Sequence, residues 1–69
     1  MPLTMLKPGE TMSIKTIRGK DETKRHLENL GFTIGGAVTV ISDLGGNVIL
    51  CVKDTRVALN KSMAERIIV

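Results

Sequence analysis

The sequence predicts a mainly β domain: a small, partly closed antiparallel barrel with one short helix after the first strand and a short helical turn before the last strand. Three observations predict this fold class. Short segments in which apolar and polar residues alternate recur along the 69-residue chain, as is typical of half-buried strands. Glycine-containing turns separate several of these segments. Only one segment has the spacing of an amphipathic helix. We expect one domain over residues 1–69.

The first strand is predicted in the segment TMSIKTI, residues 11–17, which follows the turn sequence KPGE. Met12 and Ile14 alternate there with polar residues, which favours a half-buried strand. A helix is then predicted from about Glu22 to Leu30, with Asp21 as its N-cap residue, because aspartate is a preferred N-cap side chain.

The predicted helix has one narrow apolar stripe. Thr23, Leu27 and Leu30 are spaced i, i+4 and i+7, so they face the core. Lys24 and Arg25 lie outside this stripe and face water. The helix therefore buries one side and presents cations on another.

Gly31 and Phe32 follow the predicted helix, and Phe32 is the one aromatic residue of the chain. Helices often end at a residue with positive φ, which glycine adopts without a Cβ clash, and the next residue folds back on the last turn. Phe32 is then expected to pack on Leu27. Two alternatives stay open: Phe32 is wholly a core residue, or it stands at the barrel rim as an aromatic anchor beside Lys24 and Arg25 for a partner protein.

The second half of the chain predicts a run of strands joined by tight turns. In chain order, the segments are the strands AVTVIS and NVILCV joined by DLGG, the strand TRVAL after the turn KD, the helical turn KSMAER and the final strand IIV.

Alternation in NVILCV places two apolar side chains on the outer face of the sheet. If Val48, Leu50 and Val52 line the core, Ile49 and Cys51 point outward. Such a pair indicates either a contact surface for a partner or a face covered by the chain's own helix or termini. Both alternatives stay open.

The net charge of +3 is concentrated before and within the predicted helix, in Lys15, Arg18, Lys20, Lys24 and Arg25. Nucleic acid is not the expected partner, because single-strand binders stack bases on aromatic side chains and this chain has a single phenylalanine. A solvated polar face explains most of this charge.

The sequence also restricts location. Its start, MPLTMLKPGE, lacks the basic and apolar regions of a signal peptide. The longest apolar run, VILCV, is far shorter than a membrane-spanning helix. A single cysteine forms no disulfide framework. We therefore expect a cytoplasmic protein without direct membrane insertion.

No arrangement of residues in the sequence predicts catalysis or a bound cofactor. Catalysis needs a nucleophile beside a base, or paired acids, and no such pairing is visible. His26 is the sole histidine, and with Glu22 at i−4 it provides too few ligands for zinc or iron. We expect no enzyme activity, no cofactor and no bound metal.

Three segments of the sequence together resemble one family. The opening, LTMLKPGETMSIKTIRG, has a leucine-bearing lead and a Pro-Gly-Glu turn before the first strand. The central segment, KRHLENLGFTIGGAVTVI, has basic residues, then Leu-x-x-Leu-Gly, an apolar residue and a glycine before the next strand. The closing segment, RVALNKSMAERIIV, holds a short turn before the last strand. These features are similar, nearly end to end, to the FeoA family, ferrous iron transport protein A.

The FeoA resemblance implies an SH3-like β-barrel, in agreement with the fold predicted from the residues. It also implies a cytoplasmic accessory protein of ferrous iron uptake. Its partner is then FeoB, the membrane iron permease whose cytoplasmic portion carries a G-protein domain. Lys24, Arg25 and Phe32 are the first candidate docking residues, and Ile49 and Cys51 are the second.

A second hypothesis comes from the same resemblance, since similar domains occur at the C-terminus of iron-dependent repressors. In that case the chain is a free-standing relative that senses a transition metal or contacts a regulator. The absence of a helix-turn-helix segment favours the first hypothesis. The sequence departs from the family pattern at four positions: Ile34 for proline, His26 for Lys or Arg, Asp54 for glycine and Asn60 for Arg.

Overall fold

Six strands form two antiparallel sheets in the computed structural model, which describes residues 1–69. The elements, in chain order, are a 3₁₀ turn (Leu3–Met5), β1 (Thr11–Ser13), β2 (Thr16–Ile17), α1 (Asp21–Asn29), β3 (Ala37–Leu44), β4 (Asn47–Val52), β5 (Thr55–Asn60), α2 (Lys61–Ala64) and β6 (Ile67–Ile68). The larger sheet has the order β1-β3-β4-β5, and the smaller sheet pairs β2 with β6. The predicted mainly β fold with two short helices is confirmed, although the two sheets do not close into one continuous barrel.

The single strand predicted over residues 11–17 is wrong in one respect, because the segment forms two strands in two different sheets. β1 pairs with β3, and β2 pairs with β6. The change of sheet falls at Ile14, which is buried. The Ile14 N–H donates to the Gly36 carbonyl at 2.9 Å, and the next N–H, of Lys15, donates to the Ile68 carbonyl at 2.7 Å. The N–H groups of two consecutive residues therefore extend the pairing of two different sheets. The alternation of apolar and polar side chains does not reveal this change of sheet.

Helix α1 begins one residue earlier than predicted. Lys20 occupies the N-cap position with extended backbone and makes no side-chain cap bond, so Asp21 as N-cap is wrong. Asp21 and Glu22 instead lie in the first helical turn, where negative charge interacts favourably with the helix dipole.

The C-terminus of α1 confirms the predicted glycine stop. Gly31 has φ +109°, and its N–H donates to the Glu28 carbonyl at 2.9 Å. The Phe32 N–H donates to the Leu27 carbonyl at 3.0 Å. This pair of bonds is a Schellman motif, which gives hydrogen-bond donors to two carbonyls of the last helical turn. In this motif the residue after the glycine, here Phe32, packs against the residue three positions before the C-cap, here Leu27. Leu27 and Phe32 accordingly lie in the same buried cluster.

Strands β3, β4 and β5 form a meander with tight hairpins. Gly45 and Gly46 form the loop of the first hairpin and connect its last paired residues, Leu44 and Asn47. Lys53 and Asp54, with φ 48° and 60°, connect the second, and two consecutive left-handed residues are typical of a type I′ turn. Ile41 is an extra residue in β3, where the register shifts and the strand bends.

The core consists only of hydrophobic side chains. Val48, Leu50 and Val52 of β4 are buried as alternation predicts, and Val57 and Leu59 of β5 face the same cluster. The buried residues are Leu3, Leu6, Ile14, Ile17, Leu27, Phe32, Val38, Val40, Val48, Leu50, Val52, Leu59, Ala64, Ile67 and Val69.

The two ends of the chain are hydrogen-bonded to each other. The Met1 ammonium donates to the Val69 carbonyl at 2.8 Å, and the Val69 N–H donates to the Met1 carbonyl at 2.8 Å. Pro2 bridges to Ile68 of β6, and Leu3 is fully buried next to this junction. Neither helix is long and apolar enough to cross a membrane.

We expect Gly31→Val to lower the free energy of unfolding by more than about 1 kcal/mol, because a β-branched residue is strained at a positive φ. A Cβ at this position would meet Val52 Cγ1 at 3.5 Å, an ordinary contact, so backbone strain dominates the loss. Urea denaturation measures it. Gly46→Ala is the matched control, since Gly46 has no positive φ and open space around it. Equal stability of Gly31→Val and Gly46→Ala would show that Gly31 is not required as the helix stop.

Candidate functional site

Helix α1 presents two neighbouring cations that form no ion pair with a carboxylate. Arg25 is exposed and Lys24 is half-buried. The one ion pair of the structure joins Lys61 Nζ to Asp43 Oδ1 at 3.7 Å, outside this helix. The charges of Lys24 and Arg25 are therefore available to a negatively charged partner.

Arg66, immediately before β6, joins the same region. The Arg18 N–H donates to the Arg66 carbonyl at 2.7 Å, which continues the antiparallel pairing of β2 with β6. Gly19 has φ +123°, and a Cβ there would lie 3.0 Å from Arg66 Nη1. The guanidinium thus packs directly over the Gly19 backbone, in space that only glycine leaves open.

The Arg66 side chain packs against Gly19, and its Nε makes no hydrogen bond. Its Nε is buried and has no hydrogen-bond partner, and no carboxylate lies within ion-pair distance. The guanidinium is therefore positioned without being neutralised. We call the cations grouped around α1 and the β2–α1 connection the basic surface: Arg18, Lys20, Lys24, Arg25 and Arg66.

The basic surface is not uniformly positive. Lys20 and Lys24 lie one helical turn apart, since the Lys24 N–H donates to the Lys20 carbonyl at 3.0 Å. Asp21 and Glu22, both exposed, stand between them in sequence. Interleaved signs give a partner a definite orientation as well as attraction.

Phe32 does not belong to this surface, and the prediction that it serves as an exposed aromatic anchor is wrong. The side chain is 0% exposed. The Schellman bonds turn the chain inward directly after Gly31, so the aromatic ring enters the core. The exposed apolar side chain of this segment is Ile34, which is 69% exposed.

Ile49 and Cys51 lie on the outer face of β4, as alternation predicts, and both are half-buried. Ile49 pairs with Ala58 of β5, and Cys51 pairs with Arg56. Thr39 of β3 is on the other side of Cys51. The outer face is thus a mixture of small apolar, hydroxyl and charged side chains.

Sequence reasoning missed Arg66 and the exposure of Ile34. No local sequence pattern indicates Arg66, because only the antiparallel register of β2 with β6 places residue 66 opposite Arg18. The signal for Ile34 is the glycine pair at 35 and 36, which turns the chain so that Gly35 N–H donates to the Ile14 carbonyl at 2.8 Å.

The surface has no pocket, and no group of three or more His, Cys, Asp or Glu side chains is positioned to hold a metal ion. His26 is exposed on α1, one turn after the exposed Glu22.

Two small antiparallel sheets, with a helix between β2 and β3 and a helical turn before the last strand, define a member of the SH3-like domains. The FeoA domain model matches residues 1–69, and the chain belongs to the FeoA family. The Methanocaldococcus jannaschii protein named "Putative Fe(2+) transport protein A" is 31% identical over 68 residues, 99% of this chain and 83% of that protein.

Solved structures of the family have the same fold. The crystal structure of the iron uptake regulatory protein FeoA matches with a TM-score of 0.88 and 29% identity, over 96% of this chain and 88% of that one. Stenotrophomonas maltophilia FeoA, solved in complex with zinc, matches with a TM-score of 0.86 and 27% identity, over 99% and 87%. A manganese-dependent transcriptional repressor also matches, with a TM-score of 0.86 over 97% of this chain and 39% of its own, but its 17% identity shows a common fold alone.

We expect Phe32→Ala to lower the free energy of unfolding by about 3–5 kcal/mol, because it removes a fully buried ring. Ile34→Ala, two residues on, is the control and changes it by less than about 0.5 kcal/mol, as exposed substitutions do. Chemical denaturation measures both variants, with Phe32→Leu added in case the alanine variant does not fold. Equal effects of the substitutions at 32 and 34 would contradict the core position of Phe32.

Proposed function

We propose that this protein is a cytoplasmic accessory of ferrous iron uptake that docks on the cytoplasmic portion of the FeoB permease. The observation that carries the proposal is the FeoA match across residues 1–69. The name of the M. jannaschii relative supports the link to Fe(2+) transport. In this proposal the chain acts as one domain and as a binding module, and it catalyses no reaction.

The basic surface is the proposed docking site. Lys24 and Arg25 provide accessible charge on a rigid helix, and Arg66 provides a guanidinium held in place over Gly19. Charges of this kind speed association and fix the orientation of a complex. The partner surface on the permease is accordingly acidic.

The outer face of β4 is the second proposed docking surface. Ile49 and Cys51 are half-buried there, so contact with a partner would remove further apolar area from water, at about 25 cal/mol per Å². If charge on α1 proves irrelevant to binding, this face is the next surface to test.

The alternative function is that of a free-standing metal-sensing or regulator-contacting domain. Its support is the fold shared with the manganese-dependent repressor. Fold alone does not establish function, and the higher identity to FeoA proteins favours the transport role.

We expect the double charge reversal Lys24→Glu with Arg25→Glu to weaken binding to the purified cytoplasmic portion of FeoB by about tenfold at low salt. The residual binding should also depend less on salt, because fewer charge contacts remain to be screened. Biolayer interferometry over a salt series, with and without guanine nucleotide, measures both effects.

The matched control for this reversal is Lys7→Glu with Lys61→Glu, which changes the net charge equally at exposed positions outside the basic surface. The control loses the exposed pair of Lys61 with Asp43, worth at most about 1 kcal/mol of stability. Equal loss of affinity in both variants would mean that net charge, not the basic surface, drives binding. Unchanged affinity in both would exclude docking through α1, and no binding by the wild type would overturn the proposed partner.

We also expect no stoichiometric binding of Fe(II) or Zn(II) by the purified protein. His26 has only the exposed Glu22 one turn away, and stable sites need several ligands. Isothermal titration calorimetry under anaerobic conditions tests this. The zinc complex of S. maltophilia FeoA makes zinc the relevant second metal. Tight binding that His26→Ala abolishes would contradict the expectation and favour the metal-sensing alternative.

A further inference from the structure

Strand β5 is a free edge of the larger sheet. The sheet order is β1-β3-β4-β5, so β5 has β4 on one side and no strand on the other. Its residues pair with β4 in continuous register from Asn47–Asn60 to Val52–Thr55. The opposite edge strand, β1, has three residues, against six in β5.

The hairpin geometry determines which backbone groups of β5 remain unpaired. A two-residue type I′ loop closes on a hydrogen-bonded pair, here Val52 with Thr55, and hydrogen-bonded and non-hydrogen-bonded pairs then alternate. Arg56 and Ala58 therefore direct their N–H and C=O groups away from β4. Neither residue has a backbone bond to any turn, loop or cap of the chain.

The edge carries few of the features by which proteins prevent pairing. Such features are very short strands, proline, lysine, bulges or a covering segment. β5 has none of the first four: it runs for six residues, TRVALN, in unbroken register. Arg56 and Ala58 are both exposed, so nothing shields this part of the edge.

We propose that two copies of this chain associate by antiparallel pairing of β5 with β5, with the two-fold axis at Ala58. This register places Ala58 opposite Ala58 of the second copy and Arg56 opposite Asn60 of the second copy. It keeps the two arginines apart, whereas an axis at Arg56 would oppose them directly, which is unfavourable. An axis at Ala58 thus places no like charges of β5 opposite each other.

The outer face of the sheet supports a second copy as the occupant. Ile49 lies directly beside Ala58 on that face. Pairing through β5 would align Ile49 and Ala58 of one copy with their counterparts in the other, in one apolar row across the joined sheet. The half-buried Ile49 would then lie one strand from the centre of a sheet that is twice as wide. The proposal is independent of docking on FeoB.

The first test is amide hydrogen exchange of the full chain at micromolar and millimolar concentration. In dilute protein we expect the Val57 and Leu59 amides to be protected and the Arg56 and Ala58 amides to exchange freely. At high concentration the Arg56 and Ala58 amides should become protected, and sedimentation velocity should shift from monomer to dimer. A monomer at every concentration, or a dimer without protection at Arg56 and Ala58, overturns the proposal.

The second test uses opposite charges at the axis. Ala58→Lys and Ala58→Glu each put like charges face to face, so each variant alone should lose the dimer while the Val57 and Leu59 amides stay protected. An equimolar mixture of the two should regain it as a heterodimer. Ser62→Lys and Ser62→Glu, at an exposed position on α2, are the matched controls and should dimerise as the wild type does. Failure of the mixture to dimerise, or dimers of either Ala58 variant alone, overturns an axis at Ala58.

Discussion

The chain reversal at Gly31 is the constraint on which the rest of the structure depends. Its positive φ lets the last turn of α1 satisfy two carbonyls and sends the chain inward. Phe32 then fills the centre of a core that has no other aromatic ring. In a chain of this length, where roughly 60% of the unfolded surface is buried, the area of one aromatic side chain is a large share of the total. The same reversal fixes α1 on the core through Leu27, and so directs Lys24 and Arg25 outward.

The elements that sequence alone could predict are those encoded by neighbouring residues. The end of α1 at Gly31, the alternation of buried and half-buried residues in β4, and the tight turn at Lys53 and Asp54 all depend on contacts within a few positions. Backbone preferences of glycine and the period of strands are sufficient for such features. The FeoA resemblance added the fold type, which local patterns leave as one of several small barrels.

The elements that sequence could not predict depend on residues far apart in the chain. The split of the first strand at Ile14 follows from two hydrogen bonds, from Ile14 to Gly36, just before β3 of the larger sheet, and from Lys15 to Ile68 of the smaller sheet. Arg66 joins the basic surface because β6 pairs with β2, across most of the chain. The depth of Phe32 likewise required the positions of the strands beneath it, since a ring that folds back on a helix end is compatible with either a rim or a core position.

The hydrogen bonds between Met1 and Val69 have a consequence for the order in which the domain folds. Strand β6 completes the smaller sheet, and its residue Ile67 and the following Val69 are buried in the common core with Leu3. The β3–β4–β5 meander forms by local pairing, with low loop-closure entropy, while the β2–β6 sheet has to close the long loop between Ile17 and Ile67. During synthesis the meander is therefore complete while the small sheet still lacks a strand. At that stage Leu3 and Ile17 lack Ile67 and Val69, which belong to the same core cluster, so part of their apolar surface is still exposed to water.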